Sequence, residues 1–339
     1  MRQRKIEIRN TIFEDSIQET ASKCSPNVKV SKKKSHTSIL STGIQKFFLT
    51  SIIGLCTMGC GNSNSNSGIV SQGTFTENLT HNGEEREFIM YVPSSYNGAE
   101  ELPLMLSFHG YGGTATDFMN WTDMRSLAEE ENFILVYPQG SLLDGSPHWN
   151  SSLPSADNKS SADDFGFIEA LIEDLSTTYH INSDRIYTSG YSNGAFFSYA
   201  LACYRSDLIA AVASVSGTMT DDVISDCNPT HPASIISLHG TSDYVIPYEG
   251  APGYSSVEEV MNYWIDFNNT STEATRNSDA DIEKTLYSNG ENNTSIVHYR
   301  IHGGDHVWFD LNYEGASTGQ LIWDFVSNYD VNGFIEDNQ

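Results

Sequence analysis

Short apolar runs alternate with helical patterns along most of the chain. The apolar runs have the length and the β-branched or aromatic content of buried strands; in chain order they are REFIMYVP, LPLMLSFHG, FILVYPQG, RIYTSG, IAAVASVSG, ASIISLHGTSD and SIVHYR. Helical patterns lie between several of them, at residues 118–132 and 164–179 and directly after residue 192. Strands that alternate with helices predict an α/β fold, with a mainly parallel sheet covered by helices on both faces.

Length and composition fit one large catalytic domain behind a leader. The chain has 339 residues, of which 38% are hydrophobic, enough to bury a large core. We expect an N-terminal leader at residues 1–60, a flexible Gly/Asn/Ser linker at residues 61–72 and a catalytic domain at residues 73–333. No internal repeat is visible.

The charge of the chain argues against nucleic acid as a partner. The formal net charge is −26, yet the first 60 residues hold ten of the 18 basic residues and four of the 44 acidic ones. The rest of the chain is therefore strongly acidic and would repel a phosphate backbone. Acidity of this kind favours solubility and does not identify a reaction.

The leader has the features of an export signal. Lysines precede the apolar run at residues 47–59, whose 13 residues suit a signal-peptide core and fall short of a membrane span. Cys60 and the polar run GNSNSNSG follow. This arrangement resembles a bacterial lipoprotein signal, in which the cysteine is lipidated, although Thr57 stands where an aliphatic residue is usual. An uncleaved anchor and soluble secretion are the alternatives.

The remaining cysteines suggest one disulfide. Once Cys24, Cys56 and the proposed lipidation site Cys60 are set aside, only Cys203 and Cys227 are left. A pair of cysteines in an exported protein predicts a disulfide. Two free buried thiols are the alternative.

A Gly-x-Ser-x-Gly pentad, residues 190–194, joins one predicted strand to the following helix. In a nucleophile elbow, such glycines let the chain turn so sharply that the serine hydroxyl stands exposed at the end of the sheet. A tight strand-to-helix turn with no chemistry would use the same glycines. The elbow interpretation makes Ser192 a candidate nucleophile.

Candidate partners for Ser192 follow in the order acid, then histidine. A serine hydroxyl needs an adjacent base, normally a histidine oriented by a carboxylate. Asp243 and His306 each come directly after a predicted strand, and their order is that of α/β-hydrolases. The alternatives near these positions are less well placed; they are His239, His302, Asp305 and Asp310.

The run HGYGG at residues 109–113 suits an oxyanion hole. It follows a predicted strand, and its glycines allow a backbone N–H to point into the site. The expected donors are the main-chain N–H groups of Tyr111 and Asn193. No cluster of Cys or His in the sequence has metal-ligand spacing, and we expect no metal or other cofactor.

Together these motifs resemble the esterase family of poly(3-hydroxybutyrate) depolymerases, feruloyl esterases and some acetylxylan esterases. The resemblance covers about residues 86–325 and is carried by PLMLSFHGYGG, WN, DDFGF, RIYTSGYSNGA, LAC, SLHGTSDYVIPYEG and GGDHVW. It implies the α/β-hydrolase fold, with Ser192 as nucleophile, Asp243 as acid and His306 as base. It also implies a disulfide from Cys203 to Cys227.

The chain departs from the family pattern at a few positions. Ala195 stands where a third glycine is common, and Asp305 precedes the histidine where glycine is usual. No cysteine lies beyond Cys227 to form the second disulfide often seen. These departures leave the triad intact and bear on the histidine loop and the substrate pocket.

The expected activity is that of an exported serine esterase acting through an acyl-enzyme, either lipid-anchored to the cell envelope or secreted. Feruloyl or acetyl esters on plant polysaccharide are the first expectation, and polyhydroxybutyrate or its oligomers the second. Trp149 and Trp308 could stack on a sugar or an aromatic acyl group, with a core or lid role as the alternative for each. An inactive binding protein with a hydrolase fold is the remaining possibility.

Overall fold

A computed structural model describes residues 71–153 and 160–336. Its centre is a ten-stranded sheet in the order β1-β2-β4-β3-β7-β8-β9-β12-β11-β10. The strands of this sheet are β1 Gly73–His81, β2 Glu84–Val92, β3 Leu102–Phe108, β4 Ile134–Pro138, β7 Ile181–Tyr191, β8 Ala211–Val215, β9 Ser234–Gly240, β10 Thr275–Asp279, β11 Ile282–Tyr287 and β12 Ile296–Ile301. Short two-stranded ribbons flank it: β5 Ser141–Leu143 with β6 Ser146–His148, β13 Asn312–Tyr313 with β14 Ala316–Ser317, and β15 Tyr329–Asp330 with β16 Gly333–Phe334.

The middle of the sheet is parallel and its two edges are antiparallel. Strands β4, β3, β7, β8, β9 and β12 pair in parallel. The pairs β1–β2 and β2–β4 on one side, and β12–β11 and β11–β10 on the other, are antiparallel. The carboxyl ends of the six parallel strands therefore meet at one edge of the sheet, where α/β proteins place their sites.

Helices cover both faces of the sheet. They are α1 Ala115–Thr122, α2 Arg125–Glu131, α3 Asp164–Thr178, α4 Asn193–Tyr204, α5 Asp221–Asp226, α6 Val257–Phe267 and α7 Thr318–Val326, with a 3₁₀ turn at Glu291–Asn293. Alternate residues of each strand point to opposite faces. On β3, Leu104 and Leu106 pack in the core under α3, α4 and α6, whereas Met105 packs in the core under α1 and α7. The predicted α/β-hydrolase fold with a mainly parallel sheet is confirmed.

The structure differs from the sequence prediction at one helix and at the sheet edges. The pattern at residues 118–132 is two helices, because Asp123 leaves helical geometry at φ 13°, ψ 78° and its carboxylate accepts from the Arg125 guanidinium. Strand β1 and the β10–β11 hairpin were not predicted. Their residues are mostly exposed or half-buried, so they lack the apolar run of a buried strand.

Cys203, in the last turn of α4, and Cys227, directly after α5, form a disulfide. The bond ties the end of the helix that follows Ser192 to the segment leading into β9. The alternative of two free thiols is thereby excluded.

The predicted leader, Cys60 and most of the linker at residues 61–72 lie outside the described residues. Export and lipidation at Cys60 therefore stay predictions. Within residues 71–153 and 160–336, no helix is long and apolar enough to cross a membrane.

Candidate active site

Ser192 lies at a sharp turn between β7 and α4. Its backbone takes φ 52° and ψ −119°, a strained conformation for a residue with a side chain. A Cβ on Gly190 would lie 2.1 Å from the Gly194 carbonyl oxygen, and one on Gly194 would lie 2.3 Å from the Phe108 carbonyl oxygen. Both glycines of the pentad are thus required by close backbone contacts, and the geometry is that of a nucleophile elbow.

Three predicted side chains meet in a continuous hydrogen-bonded chain. The Ser192 Oγ lies 3.0 Å from His306 Nε2, and His306 Nδ1 lies 2.8 Å from Asp243 Oδ2. The imidazole is 8% exposed and the carboxylate is fully buried. Residues more than a hundred positions apart in the sequence are brought together because β7, β9 and β12 end at the same edge of the sheet.

Asp243 is held as a buried carboxylate. Its Oδ1 accepts the backbone N–H groups of Val245 and Ile246 at 2.9 and 2.8 Å. Burial opposes ionisation, but hydrogen bonds from His239 and His306 outweigh it and lower the pKa of Asp243 to about 2. The group is therefore an anion at every pH at which the protein is expected to work.

The histidine loop is anchored on both sides of His306. The Tyr191 hydroxyl donates to the His306 carbonyl at 3.0 Å, and the Ser216 hydroxyl donates to the Val307 carbonyl at 2.8 Å. Asp305, which departs from the family pattern, accepts the His306 backbone N–H at 2.8 Å. Its carboxylate thus orders its own loop.

The competing residues take other positions. His302 is exposed, and its backbone N–H donates to the carbonyl of Asp281, which lies in the β10–β11 turn. His239 is fully buried, with Nε2 2.9 Å from the Ile246 carbonyl oxygen and 3.4 Å from Asp243 Oδ2. Asp310 is exposed. None of these contacts the Ser192 hydroxyl in the described part of the chain.

The HGYGG loop lies against the serine turn. A Cβ on Gly110 would be 3.4 Å from the Ser192 Cβ. The Gly112 N–H donates to the Pro147 carbonyl and the Gly113 N–H donates to the Gly110 carbonyl. Within the described ranges, the N–H groups of Tyr111 and Asn193 donate to no protein acceptor, as donors kept for an oxyanion would.

His109, the first residue of this loop, is a structural histidine. Its Nδ1–H donates to the Gly110 carbonyl at 2.8 Å, and its Nε2 accepts the Gly140 N–H at 2.9 Å. Burial lowers the pKa of His109 to about 4, so the ring stays neutral. A neutral ring with both nitrogens bonded fixes the shape of the loop.

Trp149 and Trp308 are packed rather than presented to solvent. Trp149 is 2% exposed, stacks on Phe197 and donates its indole N–H to the His109 carbonyl at 3.1 Å. Trp308 is 7% exposed and meets Phe118 edge to face. The burial of both rings favours the core role, which was the alternative expected for each residue.

The Asn193 side chain extends the support of Trp149. Its Oδ1 accepts the Trp149 backbone N–H at 2.7 Å, and its Nδ2 donates to the Trp149 carbonyl at 3.0 Å. Asn193, the first residue of α4, thereby ties the backbone of Trp149 to the start of that helix. Sequence reasoning had assigned a role only to its backbone.

An exposed aromatic residue near the triad was not predicted. Trp121 is 52% exposed, and its ring meets the Tyr191 ring edge to face at 5.1 Å. The Tyr191 ring lies 5.1 Å from the His306 ring. A single tryptophan in an amphipathic helical pattern is ordinarily a core residue, so the sequence carried no signal for this position.

A second buried polar cluster, Arg86–Asp164–Asn150, lies beside the site. The Arg86 guanidinium donates to Asp164 Oδ1 at 2.7 Å, and the Asn150 backbone N–H donates to Asp164 Oδ2 at 2.8 Å. Asn150 belongs to the WN motif and Asp164 to the DDFGF motif. Among the described residues, no group of three or more His, Cys, Asp or Glu side chains could hold a metal ion.

Similarity to known proteins agrees with this geometry. The family described as phospholipase/carboxylesterase matches residues 96–280. A bifunctional acetylxylan esterase/xylanase of Neocallimastix patriciarum is 29% identical over 77% of this chain and 36% of its own length. Feruloyl esterase B of Piromyces equi is 24% identical over 73% of this chain and 46% of its own length. The chain thus spans less than half of each of these two relatives.

Solved structures share the fold. An acetyl xylan esterase from Aspergillus awamori superposes with a TM-score of 0.55 at 17% identity, over 75% of this chain and 99% of that one. A ferulic acid esterase from Anaeromyces mucronatus, solved with ferulic acid, gives a TM-score of 0.50 at 15% identity, over 79% and 93%. Because the family match spans more than half of its residues, the chain belongs to the phospholipase/carboxylesterase family.

Proposed function

We propose that the protein is an exported serine esterase that acts on plant polysaccharide esters through an acyl-enzyme. The observation that carries this proposal is the hydrogen-bonded chain Ser192–His306–Asp243, with contacts of 3.0 and 2.8 Å. His306 Nε2 accepts the proton of the Ser192 hydroxyl as Oγ attacks the ester carbonyl carbon. The tetrahedral intermediate then expels the alcohol, which leaves with the proton returned by His306.

The developing negative charge needs donors that are already in place. The N–H groups of Tyr111 and Asn193 are assigned to the oxyanion. Asp243 keeps Nδ1 of His306 as the protonated nitrogen and stabilises the imidazolium that forms. Water then enters, gives its proton to His306 and attacks the acyl carbonyl, so that Ser192 and the free acid are regenerated.

Feruloyl or acetyl groups on plant polysaccharide are the proposed acyl substrates. The names of the relatives support this choice, since they include an acetylxylan esterase and a feruloyl esterase. A polyester of hydroxyalkanoate type is the alternative that the assay must separate.

Export of the protein is part of the proposal. Its support is the Cys203–Cys227 disulfide, because disulfides persist in oxidising compartments outside the cytosol. The signal-like leader and a lipid on Cys60 are proposed from the sequence alone.

The decisive experiment is hydrolysis by the purified protein of a matched set: p-nitrophenyl acetate, methyl ferulate, acetylated xylan and a polyhydroxybutyrate suspension. Ser192→Ala is assayed beside wild type, and Ser225→Ala, an exposed serine on α5, is the control. We expect Ser192→Ala to lose turnover while its melting curve is unchanged, and Ser225→Ala to retain it.

The preferred ester identifies the substrate class. Faster hydrolysis of ferulate or acetylated xylan supports the polysaccharide assignment, whereas clearing of the polyester suspension would replace it. A Ser192→Ala variant with wild-type rates would overturn the nucleophile itself.

A further inference from the structure

Several large hydrophobic side chains are exposed, and three of them adjoin the triad. In the described residues they are Trp121, Leu142, Leu153, Tyr244 and Val307. Tyr244 and Val307 directly follow Asp243 and His306, and the Trp121 ring contacts the ring of Tyr191, which directly precedes Ser192. Apolar side chains gathered around one site, rather than scattered singly, indicate contact with a ligand.

Trp121 is the member of this group with a defined path to the triad. Its ring contacts the Tyr191 ring, which in turn lies against the His306 ring, each pair with centroids 5.1 Å apart. The Tyr191 hydroxyl also donates to the His306 carbonyl at 3.0 Å. Trp121 therefore lies on the histidine side of Ser192.

That side of the site has a defined chemical role. His306 must return its proton to the oxygen of the departing alcohol, so this oxygen has to lie within reach of Nε2. The body of the alcohol then extends over the surface around the imidazole. Tyr191, Val307 and, beyond Tyr191, Trp121 form that surface.

We propose that Trp121 is the platform on which the sugar of the ester's alcohol half stacks, so that it sets preference for carbohydrate esters over esters of small alcohols. This proposal rests on the proposed function and adds a residue that determines specificity. In this proposal Trp121 contacts the substrate and takes no part in proton transfer.

The surroundings of Trp121 fit an uncharged sugar. A pyranose ring has an apolar C–H face that packs on an indole and hydroxyls that bond to polar groups at its margin. Asn120 and Asp123 flank Trp121 and are exposed. The nearby cation, Arg125, already donates to both Asp123 oxygens at 2.7 and 2.8 Å, which disfavours its use for a phosphate or carboxylate on the substrate.

The test compares two esters with the same acyl group and different alcohols. Feruloylated arabinoxylo-oligosaccharide and methyl ferulate share the acyl half, and only the first carries a sugar. For Trp121→Ala we expect kcat/KM on the oligosaccharide ester, divided by kcat/KM on methyl ferulate, to fall about tenfold. The fall should come mainly from a higher KM for the oligosaccharide ester. Trp121→Phe, which keeps a ring, should restore most of the ratio.

Asn277→Ala, on the exposed edge strand β10, is the control and should leave the ratio at its wild-type value. An equal loss on both esters, or no loss on either, would overturn the proposal while Ser192-dependent hydrolysis continues. A loss of rate confined to hydroxybutyrate oligomers would also overturn it, by assigning the platform to a polyester. Failure of the proposed function is distinct, because neither ester would then be hydrolysed.

Discussion

Two buried carboxylates, Asp243 and Asp164, differ in the groups that surround them. Asp164 is paired with the permanent cation Arg86 at 2.7 Å and with a backbone N–H. Asp243 is paired with two backbone N–H groups and with an imidazole at 2.8 Å. Both carboxylates are completely shielded from water.

The difference lies in whether the negative charge is already neutralised. Arginine stays protonated, so the Asp164 charge is fully compensated and its cluster is closed. In the proposed mechanism the His306 imidazole becomes positively charged during the reaction, and the Asp243 carboxylate then stabilises that charge. One cluster is suited to holding the loop at residues 149–150 in place, and the other to stabilising a charge that appears only transiently.

The largest expected effect separates the two carboxylates by activity. Asp243→Asn should lower kcat by about 10³- to 10⁴-fold, because the imidazole loses its tautomer control and the partner of its positive charge. The measurement is kcat on p-nitrophenyl acetate for a variant whose circular dichroism matches wild type. A loss of less than about tenfold would contradict the role given to Asp243.

The same substitution at the other carboxylate should act on stability. Asp164→Asn leaves the Arg86 charge buried without its partner and should lower the free energy of unfolding by about 3–5 kcal/mol. Its kcat in the folded state should remain close to wild type. Urea denaturation and kinetics on the same preparation test this, and a large loss of kcat with unchanged stability would reverse the assignment of the two clusters.

The disulfide should affect stability without affecting activity, because it acts mainly by lowering the entropy of the unfolded chain. Replacing both Cys203 and Cys227 by serine should lower the free energy of unfolding by about 3.5 kcal/mol in the chain-entropy model. Because Cys203 lies at the far end of α4 from Ser192, kcat should not change. Equilibrium denaturation checks the first statement and steady-state kinetics the second; loss of turnover in the folded variant would contradict it.

The smallest effect concerns pH. The pKa of Asp243 is lowered to about 2 in the folded protein, so its ionisation favours the folded state above the unfolded pKa near 4. We expect this contribution, about 2 kcal/mol, to be present at neutral pH and lost as pH falls from about 4 to about 2.

Wild type and Asp243→Asn denatured over that range should therefore converge in stability as the pH falls. Parallel stability curves for the two proteins would mean that Asp243 is not held as an anion. This test is independent of activity, so it remains informative if Asp243→Asn is inactive.

Much of the site could be predicted from the sequence, because its residues occur in recognisable local patterns. The pentad around Ser192 needs two glycines, and Asp243 and His306 each follow a buried strand. Apolar runs are a strong signal for parallel strands that are covered on both faces. Each of these features involves only neighbouring residues, so it can be recognised in the sequence without the structure.

The features of the site that the sequence did not predict depend on contacts between residues that are distant in the sequence. Trp149 and Trp308 have the residue type of a sugar platform, but packing against Phe197 and Phe118 buries them. Trp121 lies in a helical pattern typical of a core residue. In the structure its ring contacts Tyr191 on one side, and about half of the side chain is exposed to solvent. The exposure of a side chain depends on which elements cover it, and that is settled only when the elements pack.

The sequence by itself therefore determined the fold class, the tight turn at Ser192 and the order in which Asp243 and His306 follow it, because each is visible as a local pattern: an apolar run, a pair of glycines, or a polar residue directly after a strand. The tertiary structure decided the 3.0 and 2.8 Å contacts of the triad, the neutralisation of Asp164 by Arg86 and which tryptophan faces the solvent. Hydrogen bonding, charge pairing and burial act between groups that are close in space, and only the folded sheet brings these strand ends to one edge.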